Sequence, residues 1–108
     1  MTQEQTLIPI LKEFNKKLQR EYKDRLIKII LFGSQARGDA KEDSDIDIMV
    51  VLKSPVSPGD EIIQMADIAV SLELKYHQML SIIPVSEEDY IYRKSPLMDN
   101  IHREGIIL

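Results

Sequence analysis

The sequence predicts an α/β (α+β) fold in which a small mixed sheet is flanked by helices. Residues 26–32 form a short, nearly all apolar run that is typical of a central strand covered on both faces, and residues 45–53 form a second strand. Helical periodicity before, between and after the strands predicts the order α-β-β-α-β-α-α. We expect one domain spanning residues 1–108, because this length is close to the commonest domain size.

Composition and charge limit the class of protein. A hydrophobic content of 44% and a charged content of 30% are typical of a globular domain, and the net charge of −4 argues against an extensive nucleic-acid surface. Because the chain has no cysteine, we expect neither disulfides nor thiolate chemistry. No apolar run reaches membrane-spanning length and no signal-peptide pattern opens the chain, so we expect a cytoplasmic protein without a membrane partner.

The first predicted element is an amphipathic helix over about residues 5–22. Its start has two alternatives: Thr2 and Gln5 form a capping box, or Thr6 opens a first turn that contains Pro9. Apolar residues recur at helical spacing along it, namely Leu7, Leu11, Phe14, Leu18 and Tyr22.

A second long helix is predicted from Pro58 to about Tyr76, with Ser57 as its N-cap. A third strand follows at residues 79–85, where Pro84 indicates a strand end or a sheet edge. The expected apolar face of this helix consists of Ile62, Ile63, Ala66, Ala69, Val70 and Leu74.

Two short helices are predicted near the C-terminus. The first opens at Ser86 and ends at Pro96, and the second ends at Gly105. The apolar tail at residues 106–108, together with apolar residues of the last helix such as Leu97, has two interpretations: an interface with a partner or a second copy in a homo-oligomer, or a short edge strand.

Two carboxylates lie next to each other in the second predicted strand. Because strand side chains alternate, Asp45 and Asp47 project from the same face. Like charges at this spacing repel each other, so a bound cation is expected to offset them, and carboxylate oxygens suit Mg²⁺ or Mn²⁺. The opposite face carries core residues, namely Ile46, Ile48, Val50 and Leu52.

The loop after the first strand carries candidate phosphate ligands. Ser34 is either a helix N-cap or a phosphate ligand at a helix start, and the acidic pair downstream favours the ligand. Gly33 permits close approach of the backbone to a phosphate. Arg37 is either a phosphate clamp or half of an exposed ion pair with Asp39 or Asp43.

The segments GSQARG, residues 33–38, and SDID, residues 44–47, together resemble the signature of the nucleotidyltransferase superfamily. The chain is most similar to the minimal nucleotidyltransferases of that superfamily. The resemblance implies a polymerase-β-like fold, ATP as substrate and Mg²⁺ as the metal. The residues implied to bind metal or nucleotide are Asp45 and Asp47 as catalytic metal ligands, and Gly33, Ser34 and Arg37 as nucleotide-binding residues.

One feature departs from the family pattern. Members of the superfamily usually add a third acid from a later strand, but residues 76–83 contain neither Asp nor Glu. His77 lies near the expected position, where it is either a third site residue able to bind a softer metal or an ordinary polar surface residue. The missing acid bears on turnover more than on nucleotide binding.

The resemblance also implies a partner. Minimal nucleotidyltransferases typically pair, as antitoxins, with HEPN-domain toxins, and some transfer AMP to a toxin tyrosine. We therefore expect either a Mg²⁺-dependent transferase that moves NMP, most simply AMP from ATP, to a hydroxyl of a HEPN toxin, or an antitoxin with a weak or inactive site that acts by binding alone.

Overall fold

The computed structural model describes residues 3–41 and 43–108. Within these residues a four-stranded mixed sheet has the order β3-β2-β1-β4, with β1 antiparallel to both β2 and β4, and β2 parallel to β3. The mixed sheet predicted from the sequence is confirmed. The strands are β1 at Leu26–Phe32, β2 at Ile46–Leu52, β3 at Leu80–Ser86 and β4 at Ile106–Ile107.

Helices cover both faces of the sheet. They are α1 at Gln3–Tyr22, α2 at Gly33–Arg37, α3 at Pro58–Tyr76, α4 at Glu87–Tyr92 and α5 at Pro96–Glu104, with a 3-10 turn at Lys23–Arg25. The five-residue α2 is an addition to the predicted order, and the two-residue β4 was predicted only as one of the two interpretations of the apolar tail. Both are too short to leave a periodic pattern in the sequence.

The two faces of β2 enter different cores. Ile48 packs with Phe14 of α1 and Met65 of α3, whereas Met49 packs with Met98 and Ile101 of α5 and nearby residues. All but one residue of β2 are buried, and the exception is Asp47. The alternation predicted for this strand is confirmed, and it leaves a polar position only where β2 begins.

The start of α1 differs from one prediction. Because the helix spans Gln3–Tyr22, Pro9 lies inside it rather than in a first turn opened by Thr6, so that alternative was wrong. An internal proline removes one helical hydrogen bond, and the burial of Ile10 and Phe14 on the following turns offsets that loss. The alternative capping box with Thr2 lies outside the described residues.

The buried face of α3 is not the predicted one. Ile63 is 75% exposed and Leu74 is 72% exposed, whereas Met65 and Leu72 are almost fully buried. The helix carries apolar residues around most of its circumference, so periodicity alone does not identify which side meets the sheet. The predicted start after Ser57 and the end at Tyr76 are confirmed.

The side of α3 that meets α1 includes a buried acid. Glu61 is 5% exposed and accepts hydrogen bonds from Arg25 at 2.8 Å and from the Tyr22 hydroxyl at 3.1 Å. Burial alone would raise the pKa of Glu61, but the hydrogen bonds from Arg25 and Tyr22 outweigh it and the pKa is lowered. This cluster fixes the first turn of α3 against the end of α1.

Replacing Glu61 with Gln should lower the free energy of unfolding by about 2–3 kcal/mol at pH 7, because it leaves the Arg25 guanidinium without its anion. A lowered folded-state pKa stabilises the fold above the ordinary value of 4.5, and this contribution is lost as the pH falls through the folded-state pKa. Urea unfolding of both proteins should therefore show a difference at pH 7 that shrinks below pH 4.5. The exposed Glu88→Gln variant is the control, and an equal loss in that variant would contradict the prediction.

The C-terminal segments follow their predictions in part. Ser86 caps α4 through a hydrogen bond from the Asp89 N–H, as predicted, but Pro96 opens α5 instead of ending α4. The apolar tail forms β4, pairing Ile106 with Leu31, which confirms the edge-strand alternative. Its side chains stay exposed, so an interface there remains a prediction.

Within the residues described here, none of the helices combines the length and apolar character needed to cross a lipid bilayer.

Candidate active site

The two carboxylates lie where β2 begins. Asp45 is the exposed residue just before the strand, Asp47 is half-buried within it, and the buried residue Ile46 between them points into the core. Burial raises the pKa of Asp47, the nearby charge of Asp45 raises it further, and Arg37 lowers it. The predicted pair of like charges on one face of the strand is therefore present, with one cation nearby.

Gly33 lies directly against this pair. It adopts a left-handed conformation with φ of +72°, and a Cβ at this position would collide with the Asp47 carboxylate. Its neighbour Phe32 is the residue paired with Asp47 across the antiparallel ladder. Glycine is thus required by both the backbone conformation and the close approach of the acid.

Replacing Gly33 with Ala should displace the Asp47 carboxylate and lower the free energy of unfolding by about 1–2 kcal/mol, the usual cost of a left-handed conformation for a residue with a Cβ. Thermal melts test the stability. Gly59→Ala is a suitable control, since a Cβ at Gly59 meets no atom within 4 Å. Equal melting temperatures for Gly33→Ala and wild type would contradict the close approach.

Ser34 is not the helix cap that one interpretation suggested. The N-cap of α2 is Phe32, which makes no side-chain cap hydrogen bond, and Ser34 is the second residue of the helix. Its carbonyl accepts hydrogen bonds from the N–H groups of Gly38 at 3.0 Å and Asp39 at 3.1 Å. Ser34 is half-buried, and its role as a phosphate ligand remains a prediction.

Arg37 forms the ion pair that was one of its two interpretations. Its Nε lies 3.1 Å from Asp39 and its Nη1 lies 3.5 Å from Glu104 of α5. The side chain is 43% exposed, so the guanidinium stays accessible to an anion on its open side. The sequence suggested Asp39 or Asp43 as the acid paired with Arg37. The structure confirms Asp39 and shows Glu104, not Asp43, as the second acid.

His77 does not lie beside the carboxylates in the sheet. It is an exposed residue that ends α3 in a left-handed conformation, with its N–H donating to the Glu73 carbonyl at 2.9 Å. Two residues separate this position from the start of β3 at Leu80. Within residues 3–41 and 43–108, no group of three or more His, Asp or Glu residues is arranged to hold a metal ion.

The residue opposite Asp47 in the parallel ladder is Ser81. Neighbouring strands are about 4.8 Å apart, and residues in register project from the same face. Ile83 and Val85 extend the same face of β3 and pack with Met49, which places Ser81 on the carboxylate side. The sequence shows the alternation of β3 but not its register against β2, so Ser81 was missed.

The arrangement suits a divalent cation that carries phosphates. Asp45 and Asp47 offer hard oxygen ligands next to each other, and a cation there would offset the burial and the Asp45 charge that raise the pKa of Asp47. Arg37 adds positive charge at one side. The two carboxylates therefore fit Mg²⁺ or Mn²⁺, while the third position in the sheet holds a hydroxyl.

Comparison with known proteins identifies a family and several relatives of this chain. The family described as nucleotidyltransferase domain matches residues 11–106. Over 100 residues the chain is 35% identical to a candidate protein adenylyltransferase of Methanocaldococcus jannaschii, covering 93% of this chain and 96% of that protein. A second candidate protein adenylyltransferase of the same organism is 44% identical over 79 residues, covering 72% of each chain.

Solved structures share the fold. A candidate minimal nucleotidyltransferase is 27% identical with a TM-score of 0.59, covering 94% of this chain and 95% of the other. A chain of a toxin–antitoxin complex with AMP-PNP is 22% identical with a TM-score of 0.62, covering 89% and 70%. A chain of the complex between a tri-AMPylated Shewanella oneidensis HEPN toxin and its MNT antitoxin is 19% identical with a TM-score of 0.53, covering 91% and 70%.

Proposed function

Because this chain belongs to the nucleotidyltransferase domain family, we propose that it is a Mg²⁺-dependent enzyme that transfers AMP from ATP to a hydroxyl of a partner protein. The observation that carries the proposal is the pair Asp45 and Asp47 where β2 begins, with Gly33 packed against Asp47. The relatives named for protein adenylylation, which match this chain over most of its length, support the choice of reaction.

The residues present suggest a division of roles. Asp45 and Asp47 would hold Mg²⁺, or Mn²⁺, which stabilises the negative charge that develops on the phosphates. Ser34 and the backbone N–H groups after Gly33 would bind the β- and γ-phosphates, with Arg37 at their side. The acceptor oxygen forms a bond to the α-phosphorus, and the bond to the departing pyrophosphate breaks.

Among the described residues, no third Asp, Glu or His joins Asp45 and Asp47 to take the acceptor proton. Ser81 lies at the sheet position opposite Asp47, and a hydroxyl does not accept a proton readily at neutral pH. We therefore expect slow transfer to water or small alcohols. Transfer should accelerate when a bound partner holds its own hydroxyl in line, since orientation alone can recover several kcal/mol of the barrier.

The partner we propose is a HEPN-domain toxin, with the chain acting as its antitoxin in the cytoplasm. Support comes from the fold shared with chains of toxin–antitoxin complexes, one of which contains AMPylated HEPN toxin. The same fold also permits a second function, in which the antitoxin neutralises the toxin by binding alone. Ser81, a hydroxyl where a third acid would complete the site, favours this alternative.

Incubation with ATP labelled at the α-phosphate, Mg²⁺ and a purified HEPN partner separates the two functions. The enzyme proposal predicts covalent label on the partner. It also predicts that no label is incorporated when Mg²⁺ is omitted from the reaction. Neutralisation of the toxin without any label, in wild type and in Asp45→Asn alike, would instead support the binding-only antitoxin.

A further inference from the structure

The outer side of α3 carries an apolar stripe that has no partner among the described residues. Ile63, Ala66, Val70 and Leu74 follow one another at intervals of three and four residues, so they align along one side of the helix. Ile63 is 75% exposed, Val70 50% and Leu74 72%. The opposite side of α3 is buried, and a helix that is apolar on both sides is typically covered on both.

A cavity lies beside this stripe. Between α3 and β3 it has a volume of about 220 Å³, enough to admit one large apolar side chain. Its walls are apolar and include Ile62, Ala66, Ala69, Val70, Leu80 and Ile82. Because Ala66 and Val70 belong to both the cavity wall and the stripe, the two form one continuous surface, which we call the α3 groove.

The rim of the α3 groove is acidic. Its exposed acids are Asp60 and Asp67, since Glu61 is buried against Arg25 and Glu73 accepts a hydrogen bond from the Leu80 N–H. Asp60 and Asp67 are both exposed and are seven residues apart, so they lie on the same flank of the stripe. A partner that fits this surface needs an apolar ridge with positive charge beside it.

We propose that the α3 groove binds an amphipathic helix of another protein, one with an apolar stripe flanked by Lys or Arg. The spacing of the exposed stripe matches the seam between two packed helices, and the cavity receives one anchoring side chain. The acidic rim selects a basic flank.

A second copy of this chain fits the groove less well. Its own α3 would bring the same acidic rim into contact, and like charges disfavour that pairing. Its basic helix, α1, already uses its apolar side in the core through Phe14 and Leu18. The favoured occupant is therefore a helix from a different protein.

The α3 groove and the carboxylates lie on opposite faces of the sheet. Leu80 and Ile82 of the groove point toward the core shared with α1, whereas Asp47 and Ser81 project from the other face. Binding in the groove does not depend on the nucleotide site. Changes to the groove should therefore leave Mg-ATP binding unaltered.

Two synthetic helical peptides test the proposal, both with Leu at positions i, i+3, i+7 and i+11, one flanked by Lys and the other by Glu. Titrations should show binding of the Lys-flanked peptide at least tenfold tighter than that of the Glu-flanked peptide. The double variant Ile63→Ser/Leu74→Ser should bind the Lys-flanked peptide at least tenfold more weakly. The control is Ile8→Ser/Ile91→Ser, which replaces apolar side chains outside the groove that are 56% and 55% exposed, and its affinity should not change. The charge reversal Asp60→Lys/Asp67→Lys should invert the preference between the peptides.

The proposal is overturned by equal binding of the two peptides, by equal binding of a scrambled Lys-rich peptide, or by an equal loss in both Ser variants. Sedimentation of the wild type is a further test. A dimer that the Ile63→Ser/Leu74→Ser variant converts to monomer would show that a second copy occupies the groove, and a wild-type monomer agrees with the proposal. The replaced apolar side chains are exposed, so unchanged melting temperatures are expected for both Ser variants, whereas Asp60→Lys/Asp67→Lys places a cation in the first turn of α3 and should melt slightly lower.

Discussion

Replacing Asp47 with Asn should abolish metal-dependent binding of ATP and lower AMP transfer by about 10³-fold, equivalent to about 4 kcal/mol of lost charge stabilisation. The nucleotide-free protein should not lose stability. Burial and the charge of Asp45 raise the pKa of Asp47, so its ionised form destabilises the fold at neutral pH. Because the pKa of Asp47 is raised in the folded state, this carboxyl contributes stability only at low pH. The contribution is lost as the pH rises through the folded-state pKa of Asp47.

The measurement is calorimetric titration of Mg-ATP into wild type and Asp47→Asn, with thermal melts of both in the absence of nucleotide. Asp43→Asn provides the control, because Asp43 is an exposed carboxylate in the connection before β2. We expect the melting temperature of Asp47→Asn to equal or exceed that of wild type. Equal Mg-ATP affinity in all three proteins would show that the site lies elsewhere.

Replacing Ser81 with Asp should raise the rate of AMP transfer by about 10²-fold or more, since supplying a general base typically contributes 10²–10⁴-fold. Ser81 is the residue opposite Asp47 in the parallel ladder and lies on the same face. A carboxylate at residue 81 would lie beside Asp45 and Asp47, where it could take the proton from the partner's attacking hydroxyl. Single-turnover transfer to the bound partner measures the change.

Two further variants separate proton transfer from other effects. Ser81→Asn has nearly the same size as Ser81→Asp but no basic carboxylate, so its rate should stay near that of wild type. His77→Asp adds the same charge at an exposed position beyond the end of α3 and should not raise the rate. A gain in His77→Asp that equals the gain in Ser81→Asp would contradict the placement of Ser81 in the site.

The strands and the acidic pair were predictable because their signals are local. The apolar run of β1 and the alternation around Asp45 and Asp47 depend on a period of two within a few residues. These patterns set which side chains share a face whatever the rest of the chain does. The motif around Gly33 was visible too, although its contact with Asp47 required the pairing of β1 with β2.

Features set by distant contacts were missed. The register that brings Ser81 opposite Asp47 depends on how α3 returns the chain to the sheet, and no local pattern records that. Arg37 meets Glu104, which is 67 residues away along the chain. The buried side of α3 was misassigned for the same reason, because α1 and the sheet, rather than the helix itself, decide which of its apolar sides is covered.

The most direct test of the central claim is a crystal structure with Mn²⁺ and a non-hydrolysable ATP analogue, with anomalous scattering used to locate the metal. We predict an anomalous peak within bonding distance, about 2.0–2.3 Å, of carboxylate oxygens of both Asp45 and Asp47, with the triphosphate against Gly33 and Ser34. A metal bound elsewhere, or a nucleotide bound without contact to either carboxylate, would contradict the account.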